Sequence, residues 1–300
     1  MSKYNINKEY GLLRYVKLPF SKFIIFLSSI ILTNKTISLL NSKELSIKKV
    51  KINTSDNKKI PLYILEPRNK KTDKLIIYYH GGGFVFKGSP KHHFLCKKFA
   101  LETNSKVIFV DYRVAPKYKY PTPINDSIDA YKWVINNTEI LNIDPNKIIV
   151  YGTSAGGCLA VEVILKAKEK KLKLPALQML IYPALDKRMI TESMQKYQDT
   201  PILNAKFTKK MWKYYLNNNE YISPNERDDY KNFPPTYIEV AEFDCLHDEG
   251  VELSKKLQAE NIPVELNEIK EVMHAFEFKN TKITQKALKR RIEIINEIKI

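Results

Sequence analysis

The chain has 300 residues, of which 44% are hydrophobic, enough for one large α/β domain or two small ones with a sizeable core. Its formal net charge is +17, but the excess is lysine spread along the whole sequence, and no nucleic-acid recognition motif is visible. This distribution argues against a nucleic-acid function. The positive charge is still compatible with a weak attraction to anionic membrane surfaces.

The cysteine content and one apolar run indicate the cellular compartment in which the protein lies. The three cysteines are an odd and sparse set, which argues against a disulfide framework and indicates a reducing compartment. An apolar run at residues 23–32 is too short to span a bilayer and lacks the cleavage site of a signal peptide. The sequence therefore predicts a cytoplasmic protein. An apolar helix packed over the body or resting on a membrane is the alternative interpretation of the run.

In chain order, the sequence predicts helical residues 1–45 and then strands alternating with helices. The predicted strands are 47–53, 60–66, 74–79, 107–110, 148–151, 177–182, 236–241 and 264–269, with helices at 90–104, 121–137, 159–171, 205–216, 247–261 and 283–298. The first two strands suit a hairpin, and the later alternation predicts a mostly parallel sheet. Residues 186–231 interrupt this periodicity. Their aromatic side chains favour a cap over a disordered excursion.

The strand at residues 148–151 leads directly into the sequence GTSAG at residues 152–156, and a helical pattern follows. A Gly-x-Ser-x-Gly sequence between a strand and a helix is typical of a nucleophilic serine on a sharp turn. The glycines let strand and helix approach closely, and the helix N-terminus offers a positive dipole to an oxyanion. Ser154 is therefore the candidate nucleophile, with a structural turn as the alternative.

A glycine run follows the predicted strand at 74–79, in the sequence HGGGF at residues 80–84. Consecutive glycines let backbone amides converge on one point, and such a run forms part of the oxyanion hole in lipases and esterases. A flexible loop is the alternative. Beyond the next strand, Asp111 and Arg113 are predicted either to form a buried pair that braces this loop or to lie in an ordinary turn. The residues alone do not decide between these two.

A serine nucleophile needs a general base, and histidine is the usual one. In this kind of fold the base follows the serine and an acid in the chain, which leaves His247 and His274. His274 is favoured because it lies just past the last strand, whereas His247 begins a helix beside two acids. The orienting acid should end the preceding strand, which favours Asp244. Asp248 is the rival, and it is better suited to supporting the loop or capping the helix.

Five motifs occur in order along the chain: HGGGF at 80–84, DYRVAP at 111–116, GTSAGG at 152–157, DCLHDE at 244–249 and HAF at 274–276. Together they resemble the hormone-sensitive-lipase family of α/β-hydrolases, whose bacterial members are called family IV esterases. The resemblance covers roughly residues 45–300. It implies an eight-stranded, mostly parallel α/β-hydrolase sheet flanked by helices. It also implies a helical cap from about 1–45 and about 186–231, and because no internal repeat or Gly/Ser linker is evident, the sequence predicts one domain over residues 1–300.

The resemblance also implies roles for individual residues. It matches Ser154, Asp244 and His274 to a catalytic triad, the amides of Gly82, Gly83 and Ala155 to the oxyanion hole, and His80, Gly81, Asp111 and Arg113 to the supporting motifs. It implies carboxylic-ester hydrolysis with no cofactor and no metal. Thr153 stands where the family often has Asp, Lys117 where it usually has Glu, and Cys158 where Asn is frequent. These departures bear on pocket polarity and pH optimum more than on the reaction.

The predicted function is hydrolysis of small-molecule carboxylic esters, with short- to medium-chain acyl groups, through an acyl-enzyme on Ser154. A membrane-associated lipase acting on longer acyl chains is the first alternative, suggested by the apolar N-terminal run and the positive charge. An amidase uses the same machinery and is a second alternative. A non-catalytic ligand-binding protein is disfavoured because Ser, Asp and His are all present. Nothing in the sequence indicates an oligomeric state.

Overall fold

The computed structural model describes residues 3–17, 21, 25, 37, 40–68, 72–216 and 220–298. Within these ranges eight strands form one sheet in the order β1-β2-β4-β3-β5-β6-β7-β8. The strands are β1 (Leu45–Asn53), β2 (Lys59–Pro67), β3 (Leu75–Tyr79), β4 (Lys106–Val110), β5 (Ile148–Thr153), β6 (Leu177–Ile181), β7 (Thr236–Phe243) and β8 (Val264–Met273).

The helices between and after these strands are α1 (Pro90–Glu102), α2 (Thr122–Asn136), α3 (Thr138–Leu141), α4 (Ala155–Glu169), α5 (Glu192–Lys196), α6 (Ala205–Tyr215), α7 (His247–Ala259) and α8 (Lys282–Glu297). Short 3₁₀ helices cover Lys8–Tyr15, Pro145–Lys147, Pro224–Glu226 and Phe276–Phe278. Side chains of α1 and α8 pack on one face of the sheet, and those of α2, α4 and α7 pack on the other. The sheet is therefore covered on both faces.

Strand direction follows the sequence pattern. The predicted hairpin is confirmed, because β1 and β2 pair antiparallel, and β2 also pairs antiparallel with β4. All remaining neighbours are parallel. The central strands β3, β4 and β5 are buried along their whole length, as expected for parallel strands with helices on both faces. The carboxyl ends of β3 to β8 consequently meet at one edge of the sheet.

Several element boundaries differ from the predicted ones. Helix α4 begins directly after Ser154 instead of near residue 159, since its first turn is made of the glycines that obscured the helical pattern. Strand β8 continues to Met273, four residues further than predicted, past an irregularity in its pairing with β7 between Ala241 and Phe243. Within the segment 1–45 that is predicted to be helical, residues 8–15 form a 3₁₀ helix. The predicted apolar helix at 23–32 lies outside the described residues except for Ile25.

No helix in the described part of the chain is long and apolar enough to cross a membrane.

Candidate active site

Ser154 lies at the junction of β5 and α4, in the sharp turn that its flanking glycines predicted. Its φ of 54° falls in a region that non-glycine residues rarely adopt. Gly156 makes this turn possible, because an added Cβ would lie 2.1 Å from the carbonyl oxygen of Tyr79 on the neighbouring strand. The result is a serine presented at the carboxyl edge of the sheet, at the start of a 15-residue helix.

His274 and Asp244 complete a hydrogen-bonded chain with this serine. His274 follows β8, and its Nε2 lies 3.0 Å from the Ser154 Oγ. Its Nδ1 lies 2.5 Å from Oδ2 of Asp244, which follows β7 and is fully buried. The other carboxylate oxygen, Oδ1, accepts a hydrogen bond from the amide of Leu246 at 3.0 Å. Thus both carboxylate oxygens are held, and the imidazole bridges the acid and the serine.

The rival histidine and acid lie elsewhere. His247 is half-buried, with Nδ1 2.8 Å from Asp248 and Nε2 3.3 Å from Glu268 on β8. Asp248 also accepts a hydrogen bond from the backbone amide of Ser193, at the start of α5. This pair therefore ties α7 to the insertion between β6 and β7, as the loop-supporting role of Asp248 anticipated. It does not reach Ser154.

The glycine loop after β3 provides free backbone donors beside the serine. Gly82 has φ of +124°, and an added Cβ there would lie 2.6 Å from the Phe86 carbonyl oxygen. Gly82 and Gly83 line the same cavity as Ser154, and Ala155 begins α4. Among the described residues, the amides of Gly82, Gly83 and Ala155 have no internal acceptor. These three N–H groups are therefore available to a ligand oxygen.

His80 supports the glycine loop from below as a buried, neutral ring. It stacks on Tyr112 with ring centroids 4.2 Å apart, and the Tyr112 hydroxyl donates to the His80 carbonyl oxygen at 2.7 Å. Its Nδ1 lies 2.7 Å from the Gly81 carbonyl oxygen. Burial lowers the pKa of His80 to about 3, so the ring stays uncharged at neutral pH. Aromatic packing, and not an ion pair, holds this end of the loop.

Asp111 and Arg113 do not pair with each other, so the first of the two alternatives, a buried pair between them, is wrong. Arg113 instead donates through Nη2 to Oδ1 of Asp126 at 2.6 Å and through Nη1 to Asp56 at 2.7 Å. Asp126 is completely buried, and an unpaired carboxylate costs most where water is absent, so the guanidinium is drawn there. Asp111 pairs with Lys87, which sequence reasoning missed.

Lys87 takes over the bracing of the glycine loop. It lies four residues beyond Gly83, and its Nζ donates to Oδ1 of Asp111 at 2.7 Å and to the Tyr112 carbonyl oxygen at 2.8 Å. The loop is thereby linked to the segment that follows β4. In a chain with 50 lysine and arginine residues, a single lysine offers no sequence signal for this role.

A mainly apolar cavity of about 280 Å³ opens beside the serine. Its walls include Ser154, Tyr182, Leu203, Phe207, His274 and Phe278. Of the three departures from the family pattern, only Thr153 lines this cavity. Cys158 lies 3.2 Å from the Tyr221 hydroxyl under the insertion, and Lys117 is exposed with its Nζ over the Tyr118 ring. Pocket polarity is therefore affected by Thr153 alone among them.

The insertion between β6 and β7 contacts the glycine loop through α6. The Phe84 ring stacks on Tyr215 with centroids 3.9 Å apart and lies 5.4 Å from Trp212. Met211 packs close to Gly83, and Phe207 reaches the cavity wall. Helix α6 thus lies over the loop that carries the free amides.

Within the described ranges, no group of three or more His, Cys, Asp or Glu side chains is arranged to hold a metal ion. The arrangement that is present combines a serine, a histidine, a carboxylate and free amides around one cavity. It is suited to nucleophilic attack by the serine on a carbonyl group.

Known proteins resemble this chain over most of its length. A protein family described by its alpha/beta hydrolase fold matches residues 76–278. The chain belongs to the α/β-hydrolase family. An ethyl acetate hydrolase of Pseudomonas putida is 30% identical over 239 residues, which are 77% of this chain and 75% of that protein. An arylesterase of Saccharolobus solfataricus is 30% identical over 223 residues, 72% of each.

Solved structures agree with this assignment. A bacterial heroin esterase superposes with a TM-score of 0.87 at 27% identity, covering 97% of this chain and 97% of that one. This α/β-hydrolase therefore has the same fold as a structurally characterised esterase over nearly its full length. The family resemblance found in the sequence and the predicted fold class are confirmed.

Proposed function

We propose that this ester hydrolase of the α/β-hydrolase family cleaves carboxylic esters of short to medium acyl chain through an acyl-enzyme on Ser154. The observation that supports it best is the continuous hydrogen-bonded chain from Ser154 through His274 to Asp244. It ends at an apolar cavity that also contains the free amides of the glycine loop. The esterase names of the relatives agree with this chemistry.

The hydrogen bonds assign the proton path. A carboxylate only accepts hydrogen bonds, so the proton of neutral His274 lies on Nδ1, which donates to Asp244. Nε2 is then free to accept the Ser154 proton as Oγ bonds to the ester carbonyl carbon. The imidazolium returns that proton to the departing alkoxide, and an alcohol leaves. Water then attacks the acyl-enzyme by the same route and releases the acid.

The negative charge that develops on the carbonyl oxygen is matched by backbone donors. We assign this role to the amides of Gly82, Gly83 and Ala155, as the family resemblance implies. They are preorganised by the turn at Gly82 and by the start of α4, so little reorganisation accompanies the reaction. Losing one such donor typically lowers kcat by about 10²–10³.

Cavity size favours small substrates. At about 280 Å³ the cavity lies just below the range of roughly 300–1,000 Å³ that is typical of drug-sized ligands. The aromatic side chains Phe86, Phe207 and Phe278 line it, and they suit an acyl chain better than a charged group. The Lys87 ammonium is already paired with Asp111. A neutral ester with a modest acyl chain is the expected substrate.

Replacing Ser154 with Ala tests the nucleophile. We expect hydrolysis of p-nitrophenyl butyrate to be abolished, and a serine-directed phosphonate to label the parent chain but not the variant. Ser254→Ala is the matched control, because Ser254 is buried on α7 and its hydroxyl donates to the Val251 carbonyl oxygen. It should keep full activity. Unchanged turnover in Ser154→Ala would exclude the proposal.

A series of p-nitrophenyl esters from acetate to laurate tests the acyl limit and the lipase alternative. We expect kcat/KM to be highest for the short and medium esters and to fall for decanoate and laurate. Activity that increases towards laurate, with activation at an emulsion interface, would favour a lipase. An amide analogue of the best ester tests the amidase alternative.

We also propose that segments 1–45 and 186–231 form a cap on a single domain spanning residues 1–300. Helix α6 over the glycine loop supports this for the second segment. For the first, Ile25 packs with Val85 and Ala115, and the Ile202 amide donates to the Val16 carbonyl oxygen. A small-molecule ester would reach Ser154 beneath these segments.

A cytoplasmic location belongs to the same proposal. Cys96, Cys158 and Cys245 are all free and buried, which suits a reducing compartment. Weak association with an anionic membrane surface is the alternative suggested by the charge of +17. Sedimentation with phosphatidylserine vesicles at low and physiological salt would distinguish the two.

A further inference from the structure

A buried network on the far side of His274 has no part in the hydrogen-bonded chain to Ser154. Tyr182 follows β6 with φ of 37° and is only 3% exposed. Its ring lies against the His274 imidazole, with centroids 4.5 Å apart and planes tilted by 56°. It also lines the cavity beside the serine. A tyrosine ring therefore packs against the candidate general base.

The Tyr182 ring is held from behind by two charged side chains. Its hydroxyl donates a short hydrogen bond to Oε1 of Glu277, which is 1% exposed. The same oxygen lies 3.7 Å from Nη1 of Arg291 on α8, a guanidinium with no exposed surface. Separating a buried pair of charged side chains is strongly destabilising, so Glu277 and Arg291 stay in place. The Tyr182 hydroxyl therefore has a fixed hydrogen-bond acceptor.

Arg291 is itself fixed by other parts of the sheet. It donates to both carboxylate oxygens of Glu239 on β7, at 2.5 and 3.2 Å, and to the Tyr151 hydroxyl on β5 at 3.1 Å. Two carboxyl groups, Glu239 and Glu277, thus share one guanidinium. The Tyr182 amide also donates to the Glu239 carbonyl oxygen at 2.6 Å. Both the backbone and the ring of Tyr182 are consequently fixed relative to β7.

We propose that Tyr182 is a positioning residue for His274, which orients the imidazole and stabilises its protonated form during ester hydrolysis. The inference rests on the proposed function. An imidazolium within about 6 Å of an aromatic ring is attracted to the ring electrons. A phenol that donates to a carboxylate gains electron density in its ring, which strengthens that attraction. The Glu277 anchor therefore serves both the orientation and the electrostatics of Tyr182.

Other ionisable groups around His274 set the background for this effect. They are Asp244 after β7, Glu277 in the 3₁₀ turn beyond β8, Arg291 on α8, and Lys87 and His92 on the cavity wall. Asp244 contacts the imidazole through a hydrogen bond at Nδ1, whereas Tyr182 contacts it through its tilted aromatic ring. The two contributions are separable by substitution.

The test measures the pKa of His274 by NMR of its imidazole, together with the acidic limb of kcat/KM. In Tyr182→Leu the aromatic face is lost, and we expect the His274 pKa to fall by roughly half a unit to one unit. We expect kcat to fall about 3- to 30-fold with a smaller change in KM. Tyr182→Phe keeps the ring but loses its anchor, and should shift the pKa less in the same direction.

Tyr237→Phe is the matched control. It removes another buried tyrosine–carboxylate hydrogen bond of this network, 2.7 Å from the Tyr237 hydroxyl to Glu239, but one that does not face His274. It should lower stability and leave the His274 pKa unchanged.

Glu277→Gln provides a second variant if Tyr182→Leu does not fold, since it keeps an acceptor for Tyr182 and removes the charge. It should lower the His274 pKa. An unchanged His274 pKa in Tyr182→Leu, or in Glu277→Gln where the first does not fold, overturns the proposal. The imidazole titration needs no turnover, so it decides this inference even if the parent chain cleaves no ester.

Discussion

The two sides of Ser154 are stabilised by different forces. On one side, His274 is set between a buried carboxylate and a tyrosine ring anchored by Glu277 and Arg291. On the other, the glycine loop is supported by a neutral histidine, by stacked aromatic rings and by α6. Charge organises the first side, whereas backbone conformation and apolar packing, with one bracing ion pair between Lys87 and Asp111, organise the second.

This difference matches the chemistry assigned to each side. The base must become a cation for part of the cycle, so negative charge and electron-rich rings near it are useful. The oxyanion donors are amides whose own charge never changes, so they need rigidity and the absence of competing acceptors. The effects of substitutions on activity and stability should therefore differ between the two sides, both in magnitude and in pH dependence.

The largest expected effect is on the charged side. In Asp244→Asn we expect kcat to fall by about 10⁴, because an amide favours the wrong imidazole tautomer. Asp248→Asn is the matched control, since Asp248 pairs with His247 and not with His274. Steady-state kinetics on a short p-nitrophenyl ester would measure both variants. Comparable losses in the two would remove Asp244 from its assigned role.

The next effect is on the backbone side. Gly82→Ala places a Cβ 2.6 Å from the Phe86 carbonyl oxygen at a φ of +124°, which must move the loop. We expect kcat to fall by about 10²–10³ as an oxyanion donor is displaced, with KM less affected. Gly11→Ala is the control, because Gly11 also has a positive φ, of 55°, but its added Cβ meets only the flexible end of Lys279. Full activity in Gly82→Ala would contradict the assigned oxyanion hole.

The main elements of both sides could be predicted from the sequence. Ser154, His274 and Asp244 each follow a strand, and parallel strands bring their carboxyl ends to one edge, so chain order was enough to select them. The glycine loop was equally visible, because HGGGF is a local signal. What these elements share is that backbone geometry, and not side-chain partners, determines where they lie.

Side-chain partners were harder to predict. Arg113 and Asp111 are two residues apart, yet each pairs with a residue distant in the chain, because the buried Asp126 competes for the guanidinium. The anchor of Tyr182 joins three elements, and no local motif reports it. Choices of this kind depend on burial, which sequence spacing does not encode.

The smallest predicted effect is on the pH dependence of folding stability, and it comes from a histidine on the glycine-loop side. His92, on α1 near the glycine loop, accepts a hydrogen bond from the Ser89 amide at its Nδ1, 3.0 Å away, which requires a neutral ring. Burial lowers the pKa of His92 well below its usual value. Below about pH 6.5 the unfolded chain therefore binds a proton that the folded chain does not. Stability should fall as the pH decreases.

His92→Gln isolates this contribution, since it keeps an acceptor that does not titrate. Between pH 6.5 and 5 the parent should lose about 2 kcal/mol more unfolding free energy than the variant, measured by urea denaturation. Ser89→Ala is the matched control, because it weakens the same helix start and leaves His92 to titrate. Its unfolding free energy should be lower than that of the parent at every pH, but should change with pH as steeply as in the parent. Equal slopes for His92→Gln and the parent would mean that the neutral ring contributes no acid sensitivity, and the contrast between the two sides would then be confined to catalysis.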